Sequence, residues 1–223
     1  MTNPIDFILH VDKHLLELVG QYGAATLGIL FGIIFCETGL VVTPFLPGDS
    51  LLFAAGALAG DGKLPLGPMW LLLWFAAVAG DNLNYAVGRH LGPRVFQYED
   101  SRFFRRKHLD RTREYYAMYG AKTLVIGRFM PIVRTFAPFV AGIGQMHYPK
   151  FLSYSVLGGF LWMSTFIFGG YYFGALPVVQ KNFKLVILAV IGLSFLPMVF
   201  EAWRHRQLER RGAAAGLPTS ADS

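Results

Sequence analysis

The sequence predicts an all-α integral membrane protein, and three observations carry that prediction. Of its 223 residues 54% are hydrophobic and 15% charged, with a mean hydropathy of +0.43, far more apolar than an ordinary soluble domain. Uncharged runs cover residues 18–36, 64–80, 151–180 and 185–200, close to the about 20 apolar residues a helix needs to cross a bilayer core. Between them, two further apolar stretches, 37–60 and 123–146, are interrupted by proline and glycine in similar ways. The expected architecture is an inverted repeat with two re-entrant helical hairpins, about four transmembrane helices and amphipathic surface helices.

The elements follow in chain order. The first 20 residues lack the basic start, compact apolar run and cleavage site of a signal peptide. Asn3 suits a helix cap with Pro4 at the first helical position, and Asp6, His10, Lys13, Glu17 and Gln21 recur at helical spacing opposite Ile8, Leu15 and Val19. That pattern predicts a helix lying on the membrane surface. Residues 18–36 are expected to span fully, which puts the N-terminus in the cytoplasm; the alternative makes them one arm of the first hairpin. In 37–60, Pro44, Pro47 and Gly48 break the helix. Such backbone is tolerated at membrane depth only where protein or water satisfies it, so a re-entrant hairpin is predicted.

A spanning helix over 64–90 precedes a sharp change of composition. Arg94, Arg102, Arg105, Arg106, Lys107, Arg111, Arg113 and Lys122 face only Glu99, Asp100, Asp110 and Glu114. The positive-inside rule places this loop in the cytoplasm, and Leu109, Thr112, Tyr116 and Tyr119 predict a second surface helix within it. The second hairpin, 123–146, is broken by Pro131 and Pro138. Spans over 151–180 and 185–203 return the C-terminus to the cytoplasm, where Arg204, Arg206, Arg210 and Arg211 agree with the rule. Residues 1–211 make one membrane domain, and the small-residue tail 212–223 reads as disordered.

The hairpins look duplicated. Phe53-Ala54-Ala55-Gly56 matches Phe139-Val140-Ala141-Gly142, and Gly88-x-x-x-Gly92 matches Gly170-x-x-x-Gly174, giving repeats over about 18–92 and 103–176. With one spanning helix between them the hairpins enter from opposite faces, so the repeat is inverted. In secondary transporters that arrangement builds a midplane site from broken helices. Glycines at four-residue spacing permit close helix packing.

Glu37, Asp49, Arg128 and Arg134 fall inside these apolar stretches. A charge at the centre of a membrane helix costs about 2.5 to 3.5 kcal/mol on the lenient insertion scale, so four of them require partners, water or a ligand. The guanidiniums of Arg128 and Arg134 suit a phosphate headgroup because they stay charged when desolvated and offer a donor fork; the plainer role is neutralising Glu37 and Asp49. Those two carboxylates are also candidates for carrying a coupling proton, although Asp49 equally suits a helix cap. Asp81, near Asn82, Asn84 and Tyr85, either lines the same cavity as a further proton-carrying candidate or pairs with Arg89. The single cysteine, Cys36, excludes an internal disulfide and a cysteine metal cluster and is assigned to packing. No catalytic, metal or cofactor site and no nucleic-acid partner is expected.

Taken together, Glu37-Thr38-Gly39, Phe45-Leu46-Pro47-Gly48-Asp49 and Gly127-Arg128-Phe129-x-Pro131-x-x-Arg134 resemble the signature of the DedA family, also called SNARE-associated or VTT-domain proteins, over nearly the whole chain. The resemblance implies a bacterial inner-membrane protein with two re-entrant hairpins that returns undecaprenyl phosphate across the membrane or moves phospholipids. It implies that Glu37, Asp49, Arg128 and Arg134 are the essential charged positions, and it associates the family with the proton-motive force. A general phospholipid scramblase and a non-transporting assembly or membrane-homeostasis protein are the alternatives, and a homo-oligomer is compatible with either. A membrane phosphatase is disfavoured: Ser101-Arg102 and His108 have part of an acid-phosphatase spacing, but the remaining motifs are missing.

Overall fold

In the computed structural model, residues 11–40, 48–91, 116–117 and 119–174 and scattered positions between 176 and 192 are described. Helix α1 covers Val11–Tyr22 and α2 covers Thr26–Gly39. Between them Gly23 takes a positive φ of 51°, a conformation glycine adopts without steric cost, and a 3-10 turn, Gly23–Ala25, redirects the chain. Thr26 Oγ1 pins this corner by donating to the Leu18 carbonyl at 3.0 Å. The predicted single span over 18–36 is therefore not one helix. At 14 residues and about 1.5 Å per residue, α2 alone reaches about 21 Å, short of a core about 30 Å thick.

Helix α3, Gly48–Gly60, begins at one of the predicted breakers, and α4, Leu66–Leu91, follows. Pro44 and Pro47 lie outside the described residues, as do Asn3, Pro4, most of the basic loop including Ser101 and His108, most of the fourth span and the tail. The second broken segment is described in full. After a 3-10 turn, Gly120–Lys122, come α5 (Thr123–Ile126), a second 3-10 turn (Gly127–Phe129), an extended Met130, α6 (Pro131–Ile143) and α7 (Tyr148–Phe173). Pro131 starts α6, where its missing N–H is no loss. Pro138 was expected to break the chain and does not: it lies inside α6, removing one backbone donor while the helix continues.

The four most extensive packing seams are α2 on α4, α3 on α7, α4 on α6 and α4 on α7. Ile34, Leu52, Met69, Leu73, Trp162 and Ile167 are wholly or almost wholly buried at the centre. Helices α4 and α7, each 26 residues, are long and apolar enough to cross a membrane. Their outward faces leave Leu71, Phe75, Leu157 and Phe160 exposed, where a water-facing helix would carry polar residues.

Two of the seams use glycine alike. A Cβ on Gly56 of α3 would collide with the Ile167 carbonyl oxygen of α7, and one on Gly170 of α7 with the Phe53 carbonyl of α3. In the same way Gly88 of α4 abuts the Phe139 carbonyl of α6, and Gly142 of α6 abuts the Tyr85 carbonyl of α4. The glycines and phenylalanines matched in the sequence thus occupy matching places, and each short helix packs on the long helix of the other half. Cys36, assigned to packing, is instead exposed.

Candidate functional site

The charged residues converge where the short helices end. Glu37 lies in the last turn of α2 and Asp49 in the first turn of α3, while Arg128 and Arg134 flank the break at Met130. All four are buried, as is Asp81 of α4. Each of the four sits in a turn that ends or begins a helical segment.

They sort into two groups. In the first, Arg134 pairs with Glu37 through Nη2 and Oε1, and donates from Nη1 to Asp49 Oδ1 at 2.7 Å. Trp162 Nε1 donates to the same Asp49 oxygen at 2.8 Å, and its ring lies 4.7 Å from the Arg134 guanidinium carbon. Asp49 is thus bound to side chains of two other helices. A Cβ on Gly48 would overlap the Glu37 carboxylate, so a side chain there would displace that carboxylate from its place beside Arg134.

In the second group, Arg128 Nη2 pairs with Asp81 Oδ2 and reaches the Ser155 carbonyl at 3.2 Å. Ser155 Oγ donates to Asp81 Oδ2 at 2.5 Å. Asp81 therefore belongs to Arg128 and not to Arg89, which instead approaches the Tyr85 hydroxyl at 3.5 Å; the expected short-range pair gives way to one formed across 47 residues. Arg128 Nε and Nη1 are buried without a hydrogen-bond partner. Its guanidinium carbon stands 5.9 Å from the Trp162 ring, so one indole contacts both groups. Three carboxylates against two guanidiniums leave the cluster one negative charge in excess when all are ionised.

Asn84 holds the frame. Its Nδ2 donates to the Thr38 carbonyl at 3.2 Å and to the Thr135 carbonyl at 2.7 Å, the residues that follow Glu37 and Arg134. One amide thereby ties both broken segments to α4.

The sequence named all five of these charged residues, and Asn84 beside Asp81, but missed Ser155 and Trp162. Ser155, Gly158, Gly159 and Trp162 recur at three- to four-residue spacing along an apolar helix; that stripe was the available signal for Trp162 and Ser155. Among the described residues no group of histidine, cysteine, aspartate and glutamate side chains could hold a metal ion. His90 and His147 are exposed.

The comparisons assign a family. The VTT domain profile matches residues 46–172, a span that includes Asp49, Asp81, Arg128, Arg134 and Trp162. Protein DedA of Escherichia coli K12 is 53% identical over 211 residues, covering 94% of this chain and 96% of that protein. The uncharacterized membrane protein Rv0364 of Mycobacterium tuberculosis is 40% identical over 86% of this chain and 85% of its own length, and the inner membrane protein YghB of Escherichia coli K12 is 33% identical over 79% and 78%. No solved structure matches. With the profile covering more than half of the chain and a relative of this identity spanning nearly all of it, the chain belongs to the DedA family of VTT-domain membrane proteins.

Proposed function

We propose that this protein is a lipid carrier of the bacterial inner membrane that moves undecaprenyl phosphate, or a related anionic phospholipid, from one leaflet to the other without altering it chemically. The observation that carries the reading is the Arg128 guanidinium, buried between apolar helices with two of its nitrogens lacking a partner. Phosphate oxygens are the ligands best matched to such open donors, because guanidinium is weakly hydrated and forms strong charge-assisted hydrogen bonds to phosphate. A fold that needed only neutral pairs would have no use for donors left open at this depth.

In this reading α2 with α3, and the segment ending in α6, are re-entrant hairpins entering from opposite faces, and α4 and α7 are two of the spans. The exchanged glycine crossings support an inverted pair of repeats, which is the plan of carriers with a midplane site. The basic loop of residues 94–122 then lies in the cytoplasm with the C-terminus. The carboxylates serve as resident counter-ions that a phosphate displaces, and Glu37, Asp49 and Asp81 are the groups through which a proton could accompany the exchange.

Purified protein in liposomes containing labelled undecaprenyl phosphate and labelled phosphatidylethanolamine, with and without a pH gradient, tests the proposal. Protein-dependent translocation of the first alone supports the specific carrier, and equal movement of both makes it a scramblase. Movement of neither, with Arg134→Ala folding and behaving as wild type, would leave a non-transporting assembly protein.

A further inference from the structure

We propose that the seam between α4 and α7 is a lateral portal, through which the phosphate of the lipid reaches Arg128 while its apolar chain stays in the bilayer, with Trp74 as the movable leaf. This rests on the lipid-phosphate reading above and adds to it the place where substrate passes.

The argument begins with which seams can open. At Gly56, Gly170, Gly88 and Gly142 the neighbour is a backbone carbonyl of the facing helix, so those contacts part only if whole helices separate. Gly159 of α7 differs. A Cβ there would lie 3.2 Å from Trp74 Cδ1, 3.3 Å from Trp74 Nε1 and 3.5 Å from Arg128 Nη2, all side-chain atoms. A residue without a side chain is therefore all that stands between the buried guanidinium and the indole. At the adjacent Gly158 a Cβ would come within 3.0 Å of Arg128 Nε, one of the two nitrogens without a partner.

Trp74 has the properties of a leaf. It is only partly buried, and its Nε1 donates to the Val156 carbonyl at 3.1 Å, a single bond latching α4 to the backbone of α7. Rotating the side chain breaks that bond without disturbing either helix. Outside the leaf is an aromatic surface: Trp70 stacks on Trp74 with centroids 5.4 Å apart, Phe160 meets both edge-on, and Phe168 stacks on Trp70 at 6.5 Å. Phe160 is 43% exposed. An apolar chain lying there has its phosphate end at Gly159, beside Arg128 Nη2 and one residue from Gly158, where the unpartnered Nε lies. Threading the same headgroup through the α3–α7 or α4–α6 seam would require backbone to yield.

The test uses the full-length protein in phosphatidylcholine vesicles with a polyprenyl phosphate carrying a diazirine in the chain near the phosphate. After photolysis, adducts should concentrate on Trp70, Trp74 and Phe160 over Tyr172 and Phe173, although the latter two are more exposed. Unlabelled polyprenyl phosphate should compete them away and polyprenol should not. Gly159→Val, which fills the gap, should lower both adduct yield and transport by about tenfold or more, a change of about 1.4 kcal/mol. Gly169→Ala, on the same helix with nothing nearer than Phe53 at 4.0 Å, should change neither. Should Gly159→Val fail to fold, Trp74→Phe keeps a ring, drops the latch to Val156 and should raise the adduct yield.

Adducts spread evenly over the apolar surface and insensitive to the phosphate competitor would overturn the portal, as would wild-type yield in both variants. Wild-type transport with Arg128-dependent adducts elsewhere on the protein removes the portal alone. If wild-type vesicles move no polyprenyl phosphate and Arg128→Ala leaves the adducts unchanged, the lipid-phosphate reading fails and the portal goes with it.

Discussion

Arg134 and Glu37 stand 97 residues apart in the chain and meet in a buried ion pair. Helix dipoles explain why these two need each other. Glu37 sits in the last turn of α2, at the negative end of its helix, and Arg134 in the first turn of α6, at the positive end; each is repelled by its own backbone. Asp49 and Arg128 occupy favourable helix ends by the same rule.

It follows that Arg134→Ala should destabilise the fold by about 3 to 5 kcal/mol, the range for removing one partner of a buried pair, and that Glu37→Gln with Arg134→Ala should be strongly non-additive. Unfolding in detergent measures the cycle. Glu37→Gln should also abolish transport or flatten its pH dependence, because it keeps the shape and removes the ionisable proton. Additive losses with an unchanged pH profile would separate the two residues.

Charge alone should not rescue either arginine. Arg134 uses two nitrogens on two different carboxylates, which one ammonium on a flexible stem cannot match in geometry. Arg134→Lys and Arg128→Lys are both expected to lower transport by about tenfold or more, on the scale of about 1.4 kcal/mol per factor of ten. Near-normal liposome transport in both variants would point to simple neutralisation.

Asn84 offers a test of positioning. Asn84→Leu keeps the volume and loses both donors, leaving the Thr38 and Thr135 carbonyls without them. The expected loss is about 1 to 3 kcal/mol of stability, with a larger effect on transport because Glu37 and Arg134 shift against each other. A double-mutant cycle should couple Asn84→Leu to Arg134→Lys and leave it additive with Gly169→Ala. Coupling to neither would reduce Asn84 to a generic helix contact.

Gly170→Ala places a methyl against the Phe53 carbonyl, and overpacking of this kind costs about 1 to 3 kcal/mol. Gly142→Ala should behave alike, since it meets the Tyr85 carbonyl in the matching crossing. Thermal unfolding of the two variants compares the crossings directly; a tolerated alanine at either site would break their equivalence.

The sequence by itself determined the apolar helical class, the two interrupted segments, the duplicated glycine pattern and the charged residues set within apolar sequence, because composition, helix breakers and charge placement are local properties written in one dimension. It also pointed to the family, through three short motifs. Pairing was different. Asp81 choosing Arg128 over Arg89, Asn84 joining two broken segments and Trp162 contacting both arginines depend on how helices far apart in sequence cross. Pro138 remaining inside α6 likewise shows packing overriding local preference. A buried charge must find a partner somewhere, but the sequence does not record which of several will be within hydrogen-bond reach; the glycine contacts that fix helix separation and register decide that only when the whole bundle closes.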